Sequence, residues 1–352
     1  MKQKIYYKFS KLTNILKKEN SKKIFLVAGK TSFIKSGAKE KLDSIIKNQK
    51  VKIFSNFSSN PKIEEIDNGL NLFNKENFDI ILSIGGGSSI DVAKAIKLFS
   101  KKHIPLIAIP TTAGSGSEST YFIVYYIGKE KQSKGKSELT LPNYVILDHK
   151  LINSLPDKIM ASTGIDALGQ AIESYWSIYS NNKSKKYSSK AIKLLVKYLE
   201  PAVKNHNKKS LKQIQIGANF AGKAINITKT TSCHALAYPM TSYFGIPHGH
   251  AVGMTLGEML KFNSNISKKD CSDKRGTKYV KKIILNISKL ISSKEIYSLM
   301  KDIGLEIKLS ELGLHKKDLD IIIKNGFNPK RVKNNPRFLT KEDVKKILEK
   351  IY

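Results

Sequence analysis

The chain has 352 residues, of which 40% are apolar, and a formal net charge of +33. This length and apolar content predict two domains with sizeable cores, and no apolar run reaches the roughly 18 residues that a membrane span needs. Only three of the 62 basic residues are arginines and the lysines are spread along the chain, which argues against a nucleic-acid binder, since such proteins cluster their charge and use arginine forks.

Neither the first residues nor the cysteines indicate export. The N-terminus lacks the apolar core and cleavage site of a signal peptide, and Cys233 and Cys271 form no CxxC pair or disulfide framework. These features predict a cytoplasmic protein without membrane or nucleic-acid partners. The positive field would still attract a small anionic substrate.

The first half alternates short apolar runs with amphipathic stretches, which is typical of βαβ units around a parallel sheet. Residues 1–155 are therefore predicted to form a Rossmann-like α/β dinucleotide-binding domain. Strands are predicted at residues 24–28, 51–54, 79–84 and 105–109, helices at 33–48, 63–75 and 90–100, and a further pair of strands at 123–127 and 144–148.

Two polar loops follow predicted strands. Gly85-Gly86-Gly87-Ser88 precedes a helix, where glycines and the helix N-terminus favour the pyrophosphate of a dinucleotide, although three glycines also occur in plain turns. Thr111, Thr112 and Ser115 follow the next strand and offer hydroxyls to phosphate or ribose, or serve as ordinary loop residues.

Helical periodicity dominates residues 156–352, which are predicted to form an all-α metal-binding and substrate domain. The polar stretch 268–282 is predicted to be a surface linker. Helices are predicted at residues 157–177, 187–203, 209–225, 251–262, 292–303 and 341–351.

Four polar side chains in this half suit a divalent metal. Asp166 and Gln170 lie four residues apart on a predicted helix, so their oxygens can face one point. His234 and His248 could complete a set typical of Fe²⁺ or Zn²⁺ with one position open for substrate. On spacing alone, a solvated Asp and packed histidines are the more common explanation.

Four motifs occur in order along the chain: Gly85-Gly86-Gly87-Ser88, the segment 110–118, Gly164-Ile165-Asp166-Ala167 and Pro247-His248-Gly249. Together they resemble the iron-containing (group III) alcohol dehydrogenase family, whose architecture is dehydroquinate synthase-like. Residues 170–177 and 221–231 look like its phosphonoacetaldehyde reductase branch.

The resemblance implies roles for these residues. Asp166, Gln170, His234 and His248 would be metal ligands. The implied cofactor contacts are Gly86, Gly87, Ser88, Asp91, Thr111, Thr120 and Val124, in addition to the hydroxyls of Thr112 and Ser115 named above. Family members commonly form homo-oligomers, and a dimer is expected.

The residues after the first strand bear on the choice of nicotinamide. Many relatives carry an acidic residue there, whereas this chain has Gly29 and Lys30. The missing carboxylate removes a repulsion against a 2′-phosphate, and Lys30 could pair with one. This favours NADPH over NADH, unless Gly29 only makes a turn and Lys30 is solvated.

Two positions depart from the wider family. Gln170 replaces a usual His, and we interpret it as a variant ligand that leaves the metal's identity open. Tyr238 stands where a second His is often found, and it is a catalytic candidate together with His250. His250 would relay a proton or support a ligand, or be a structural histidine.

These features together predict a metal-dependent NAD(P)H reductase that converts an aldehyde to an alcohol. The favoured substrate is phosphonoacetaldehyde, and the product would be 2-hydroxyethylphosphonate. Lys229 and Thr230 are candidates for binding the phosphonate. A broader iron-type alcohol dehydrogenase is the alternative. A dehydroquinate synthase-like cyclase is disfavoured because such enzymes lack the segment 110–118 in this form.

Overall fold

The computed structural model describes residues 3–128, 130–135, 137–327 and 329–352. The chain divides into two compact units, Met1–Leu155 and Pro156–Tyr352. The first combines strands and helices, and the described part of the second contains helices and no strand. None of the described helices has the length and hydropathy needed to cross a membrane.

The first unit is built on a six-stranded sheet in which every described pairing is parallel, with the order β1-β8-β5-β4-β2-β3. β6 and β7 form a separate antiparallel pair. The strands are β1 (Lys4–Tyr6), β2 (Lys23–Ala28), β3 (Lys50–Phe54), β4 (Ile80–Gly85), β5 (Leu106–Pro110), β6 (Ile123–Ile127), β7 (Glu130–Lys134) and β8 (Tyr144–Ile146).

Both faces of the central strands are buried. In β2, Ile24 and Leu26 belong to one hydrophobic cluster, and Phe25 and Val27 belong to another. Strands covered on both faces appear in a sequence as continuous apolar runs, which is why these were recognisable. The helices of this unit are α1 (Lys11–Lys18), α2 (Lys30–Lys35), α3 (Ala38–Asp43), α4 (Ile63–Asn74), α5 (Gly87–Ser100) and α6 (Ser137–Thr140).

One local prediction in this unit is corrected. The single helix predicted at 33–48 is two short helices, α2 and α3, separated at Gly37, whose φ is +69°. The strands predicted at 123–127 and 144–148 are present as β6 and β8, although they do not pair with each other: β6 pairs with β7, while β8 joins the main sheet between β1 and β5. β1 was not predicted, because three residues are too short to show a period.

The second unit confirms the predicted all-helical fold. The linker predicted at 268–282 is wrong in its second part, because α12 begins at Thr277. α10 was not predicted at all. The helices are α7 (Asp157–Trp176), α8 (Asn182–Asn205), α9 (Lys208–Thr228), α10 (Ser232–Phe244), α11 (His248–Ser264), α12 (Thr277–Ser288), α13 (Ser293–Asp302), α14 (Leu319–Gly326), α15 (Pro329–Val332) and α16 (Lys341–Lys350).

Candidate functional site

The glycine-rich candidates of the first unit lie at the carboxyl ends of adjacent parallel strands, where doubly wound sheets bind ligands. Gly29 follows β2 and donates its N–H to the carbonyl of Ile84 in β4 at 3.3 Å. Thr111 follows β5 and donates its N–H to the carbonyl of Gly85 at 3.0 Å. The structure thus brings together loops that are far apart in the sequence.

Close packing explains the small residues in these loops. A Cβ at Gly87 would lie 2.7 Å from Ser115 Oγ, whereas one at Gly86 would be in ordinary van der Waals contact, 3.5 Å from Thr112 Cγ2. Gly85 has φ +155°, and a Cβ there would lie 2.2 Å from the Oγ of Ser89. Gly86 and Gly87 themselves place no side chain at the start of α5, and an anion-binding helix terminus needs such close access to the backbone.

Two hydroxyls at this edge have different surroundings. Ser88 donates a hydrogen bond to the carbonyl of Ser59. Thr111 Oγ1 is buried and, among the described residues, has no hydrogen-bond partner. A buried polar atom of this kind is unusual unless a ligand or water completes it, which fits the predicted cofactor contact.

A hydrogen-bond network inside the first unit connects three of the predicted cofactor residues, Asp91, Thr120 and Val124. Asp91 Oδ2 accepts a hydrogen bond from the Val124 N–H at 3.1 Å. Lys94 Nζ lies 3.4 Å from Asp91 Oδ1 and 3.3 Å from Thr120 Oγ1. Burial raises the pKa of Asp91 and lowers that of Lys94. These contacts give the three predicted cofactor residues structural partners of their own.

In the second unit, three side chains from three helices form a cluster with metal-ligand spacing. Asp166 on α7, His234 on α10 and His248 at the start of α11 each offer one ligand atom, and these atoms lie within 4.8 Å of one another. Asp166 and His234 are buried and His248 is half-buried. Gln170, one turn after Asp166, donates from Nε2 to Asp166 Oδ2 at 3.2 Å.

The sequence interpretation overlooked Glu173, which holds His234 in place. This fully buried carboxylate accepts from His234 Nδ1 at 2.6 Å, the Thr231 N–H at 3.0 Å and the Cys233 N–H at 2.6 Å. It therefore caps the start of α10 and directs His234 Nε2 towards Asp166 Oδ1, 3.2 Å away. The available signal was its position seven residues after Asp166, on the same helix face.

Two carboxylates set the protonation of His234. Burial alone would lower its pKa, but Glu173 and Asp166 outweigh burial and raise the pKa to about 10. Burial would likewise raise the pKa of Glu173, yet the His234 charge and hydrogen bonds from Thr231 hold it below its usual value. Without metal, His234 is an imidazolium between two carboxylates.

Metal affinity is expected to rise with pH, because a metal ion must displace the His234 proton. Well below a pKa of about 10, the loss of one proton predicts an affinity about tenfold higher for each pH unit. Competition between metal-free protein and a chelating dye for Zn²⁺, from about pH 6.5 to about pH 7.5, measures this slope. A pH-independent affinity would contradict the assigned role of His234.

The two catalytic candidates have different neighbours. Tyr238 stacks on His248, with ring centroids 5.3 Å apart and planes inclined by 5°. His250 is buried, and its Nε2 lies 2.7 Å from the carbonyl oxygen of Glu306. The metal-ligand cluster found among the described residues does not include His250, so its proton-relay role stays a prediction.

The two substrate candidates precede α10. Lys229 is exposed and has φ +60° and ψ 179°, a backbone conformation that costs a non-glycine residue about 1–3 kcal/mol. Thr230 is buried, and its Oγ1 accepts a hydrogen bond from Arg331 Nη1 at 3.3 Å. Arg331 did not figure in the sequence interpretation, since it lies about a hundred residues away in the chain.

Family models match nearly the whole chain. The model of iron-containing alcohol dehydrogenases matches residues 5–149, and the C-terminal model of the Fe-containing alcohol dehydrogenase family matches residues 160–352. The chain belongs to the iron-containing alcohol dehydrogenase family. It is an NAD(P)-dependent oxidoreductase of the alcohol dehydrogenase and aldehyde reductase class, which confirms the family and fold predicted from its motifs.

Three relatives illustrate the range of this family. Alcohol dehydrogenase 4 of Schizosaccharomyces pombe is 29% identical over 92% of this chain and 81% of its own. The phosphonoacetaldehyde reductase of Streptomyces viridochromogenes is 31% identical, over 58% of each chain. The structure of a sulfoacetaldehyde reductase from Bifidobacterium kashiwanohense in complex with NAD⁺ superposes with a TM-score of 0.88, at 28% identity, over 99% of this chain and 96% of that one.

The residue types in the Asp166, His234 and His248 cluster are consistent with the iron that the family name specifies. One carboxylate oxygen and two imidazole nitrogens, with an amide on the next turn, suit a borderline divalent cation such as Fe²⁺ or Zn²⁺. Glu173 accepts from His234 Nδ1, which leaves Nε2 as the nitrogen available to a metal, the usual arrangement for a metal-bound histidine.

Proposed function

We propose that this enzyme reduces a short anionic aldehyde, phosphonoacetaldehyde, to its alcohol with NAD(P)H. The observation that carries the proposal is the cluster of Asp166, His234 and His248 in a chain of this family. Two relatives support the substrate class, because their names specify aldehydes that bear a phosphonate or a sulfonate.

The residues of the chain would hold the metal and the cofactor and orient the metal ligands. Asp166, Gln170, His234 and His248 would hold the metal, and Glu173 would keep the His234 ring in the tautomer that presents Nε2. The bound cation supplies Lewis acidity towards the carbonyl oxygen, and the reduced nicotinamide supplies the hydride. The nicotinamide cofactor would bind at one edge of the parallel sheet. The residues that would contact it there are Gly29, Gly86, Gly87, Ser88, Thr111, Thr112 and Ser115.

The preferred nicotinamide in this proposal is NADPH. Lys30 is exposed at the start of α2 and donates to Asn56 Oδ1 at 3.2 Å. An exposed ammonium without an acidic neighbour at Gly29 suits a 2′-phosphate. Oxidation rates with NADPH and NADH at equal concentrations test this preference.

Removal of the Lys229 side chain is expected to have a small, substrate-specific effect. Because Lys229 is exposed, its charge is screened, and Lys229→Ala should raise KM for phosphonoacetaldehyde about threefold while sparing a neutral aldehyde. Lys229→Gly removes the same charge and relieves the backbone strain, so it should match Lys229→Ala in KM and exceed it in thermal stability. Equal KM changes for both aldehydes would refute the role of the charge.

The decisive assay for the substrate is anaerobic turnover of apo-protein reconstituted separately with Fe²⁺ and Zn²⁺. Oxidation of NADPH and NADH is followed with phosphonoacetaldehyde and with a neutral aldehyde of similar length. The proposal predicts a strong preference for the phosphonate with a metal present. Equal rates with both substrates would instead identify a broad alcohol dehydrogenase, the second candidate, which the resemblance to alcohol dehydrogenase 4 favours.

A further inference from the structure

The three arginines of this lysine-rich chain differ in how their charge is compensated. Arg275 pairs with Asp273 at 2.6 Å, and Arg337 pairs with Asp270 at 2.8 Å. In the described part of the chain, Arg331 pairs with no carboxylate, and its guanidinium makes a single hydrogen bond, from Nη1 to Thr230. Arg331 is therefore a half-buried cation whose charge no described side chain neutralises.

Arg331 is also held beside the metal-ligand cluster. Its Cζ lies 4.7 Å from the centroid of the Tyr238 ring, whose plane is stacked on His248. Thr230, which accepts from Arg331, is fixed in turn because its carbonyl accepts from Asn334 Nδ2 at 3.1 Å. The guanidinium is consequently one aromatic ring away from a candidate ligand of the metal.

The chemistry of this group points to a tetrahedral oxyanion. A guanidinium carries five N–H donors in a rigid fork, and only one is used by Thr230. A phosphonate or sulfonate can accept two parallel hydrogen bonds from such a fork, which is stronger and more directional than contact with an ammonium. The cation–π contact with Tyr238 holds the guanidinium carbon near the ring without using the N–H donors.

We propose that Arg331 is the residue that binds the anionic group of the substrate and so selects aldehydes bearing a tetrahedral oxyanion. Tyr238 is its positioning residue. The inference rests on the proposed function for the identity of the aldehyde, but the anion site itself is defined by Arg331, Tyr238 and Thr230. Lys229, whose charge is exposed, then contributes less than Arg331 to binding the anionic group.

Direct binding of methylphosphonate tests the anion site without catalysis. Isothermal titration calorimetry is done on the full-length wild type, on Arg331→Gln and on the matched control Lys333→Gln, which removes an exposed charge two residues away. Arg331→Gln should weaken binding by about 10- to 100-fold, and Lys333→Gln should bind like the wild type. Equal binding by Arg331→Gln, equal loss in Lys333→Gln, or no binding by the wild type would each overturn the proposal.

Arg331→Lys covers the case in which Arg331→Gln does not fold. It keeps a positive charge but not the fork, so binding should weaken several-fold; wild-type affinity would contradict the proposal. Turnover then separates the two proposals. If methylphosphonate binds through Arg331 but phosphonoacetaldehyde is not reduced, the anion site stands and the proposed substrate is wrong. If wild type and Arg331→Gln reduce phosphonoacetaldehyde equally well, the proposed substrate stands and the anion site is wrong.

Discussion

Replacing Glu173 with Gln is expected to weaken divalent-metal binding by about 10- to 100-fold, although residue 173 would not itself touch the metal. Its carboxylate accepts from His234 Nδ1 and from two N–H groups at the start of α10. A Gln amide of the same shape keeps one acceptor and turns a donor towards these donors. The negative charge beside His234 is lost, and either His234 Nδ1 or the N–H of Cys233 then faces a donor instead of an acceptor.

The same change is expected to lower the free energy of unfolding by about 1–3 kcal/mol, because buried donors lose their acceptor. Zn²⁺ competition with a chelating dye and urea unfolding of the metal-free protein measure the two effects. Glu200→Gln is the matched control, since Glu200 pairs with Lys204 on the surface. Unchanged metal affinity in Glu173→Gln would show that Glu173 does not position His234.

Gly249→Ala is expected to abolish tight metal binding through backbone displacement. A Cβ at Gly249 would lie 1.9 Å from the carbonyl oxygen of Ser162 and 2.7 Å from Asp166 Cβ. Because no side-chain movement can relieve contact with a backbone oxygen, α11 must shift away from α7. These helices carry His248 and Asp166, so the shift separates two members of the ligand set.

A displacement of about 1 Å at a reacting centre costs on the order of 100-fold in rate, and metal sites tolerate distance errors of only about 0.2 Å. We therefore expect the rate of metal-dependent turnover to be at least about 100-fold lower in Gly249→Ala than in the wild type. Gly217→Ala on α9 is the control, because its new Cβ would meet side chains and no backbone atom, the nearest being Leu195 Cγ at 3.1 Å. Metal affinity of Gly249→Ala within threefold of wild type would contradict this account.

Local patterns in the sequence were sufficient for the central strands, whereas the candidate ligands needed the family motifs as well. Continuous apolar runs revealed β2, β4 and β5, whose faces are both covered. Asp166, His234 and His248 were predicted to be ligands from residue type and motif; the structure brings their potential ligand atoms together, and their role as ligands stays a prediction. Gln170 reaches the cluster through Asp166, and its role as a ligand stays a prediction.

The remaining features depend on contacts between distant parts of the chain. α10 has Pro239 in its interior, which disfavours a helix, and its first N–H groups depend on Glu173. Arg331 lies in no motif, and Glu173 is marked only by its place in the run 170–177 and its helical spacing from Asp166. Their importance follows from partners 58 and 101 residues away, which no local period can reveal.

Metal dependence tests the central claim most directly. Wild type and Asp166→Ala are stripped with a chelator, dialysed anaerobically against Fe²⁺ or Zn²⁺, and assayed for bound metal and for NAD(P)H oxidation with an aldehyde. We predict one metal ion per wild-type chain, no turnover by the stripped enzyme, recovery on reconstitution, and neither metal nor turnover in Asp166→Ala. Full activity of the stripped wild type, or equal metal content in Asp166→Ala, would contradict the assignment of the Asp166, His234 and His248 cluster.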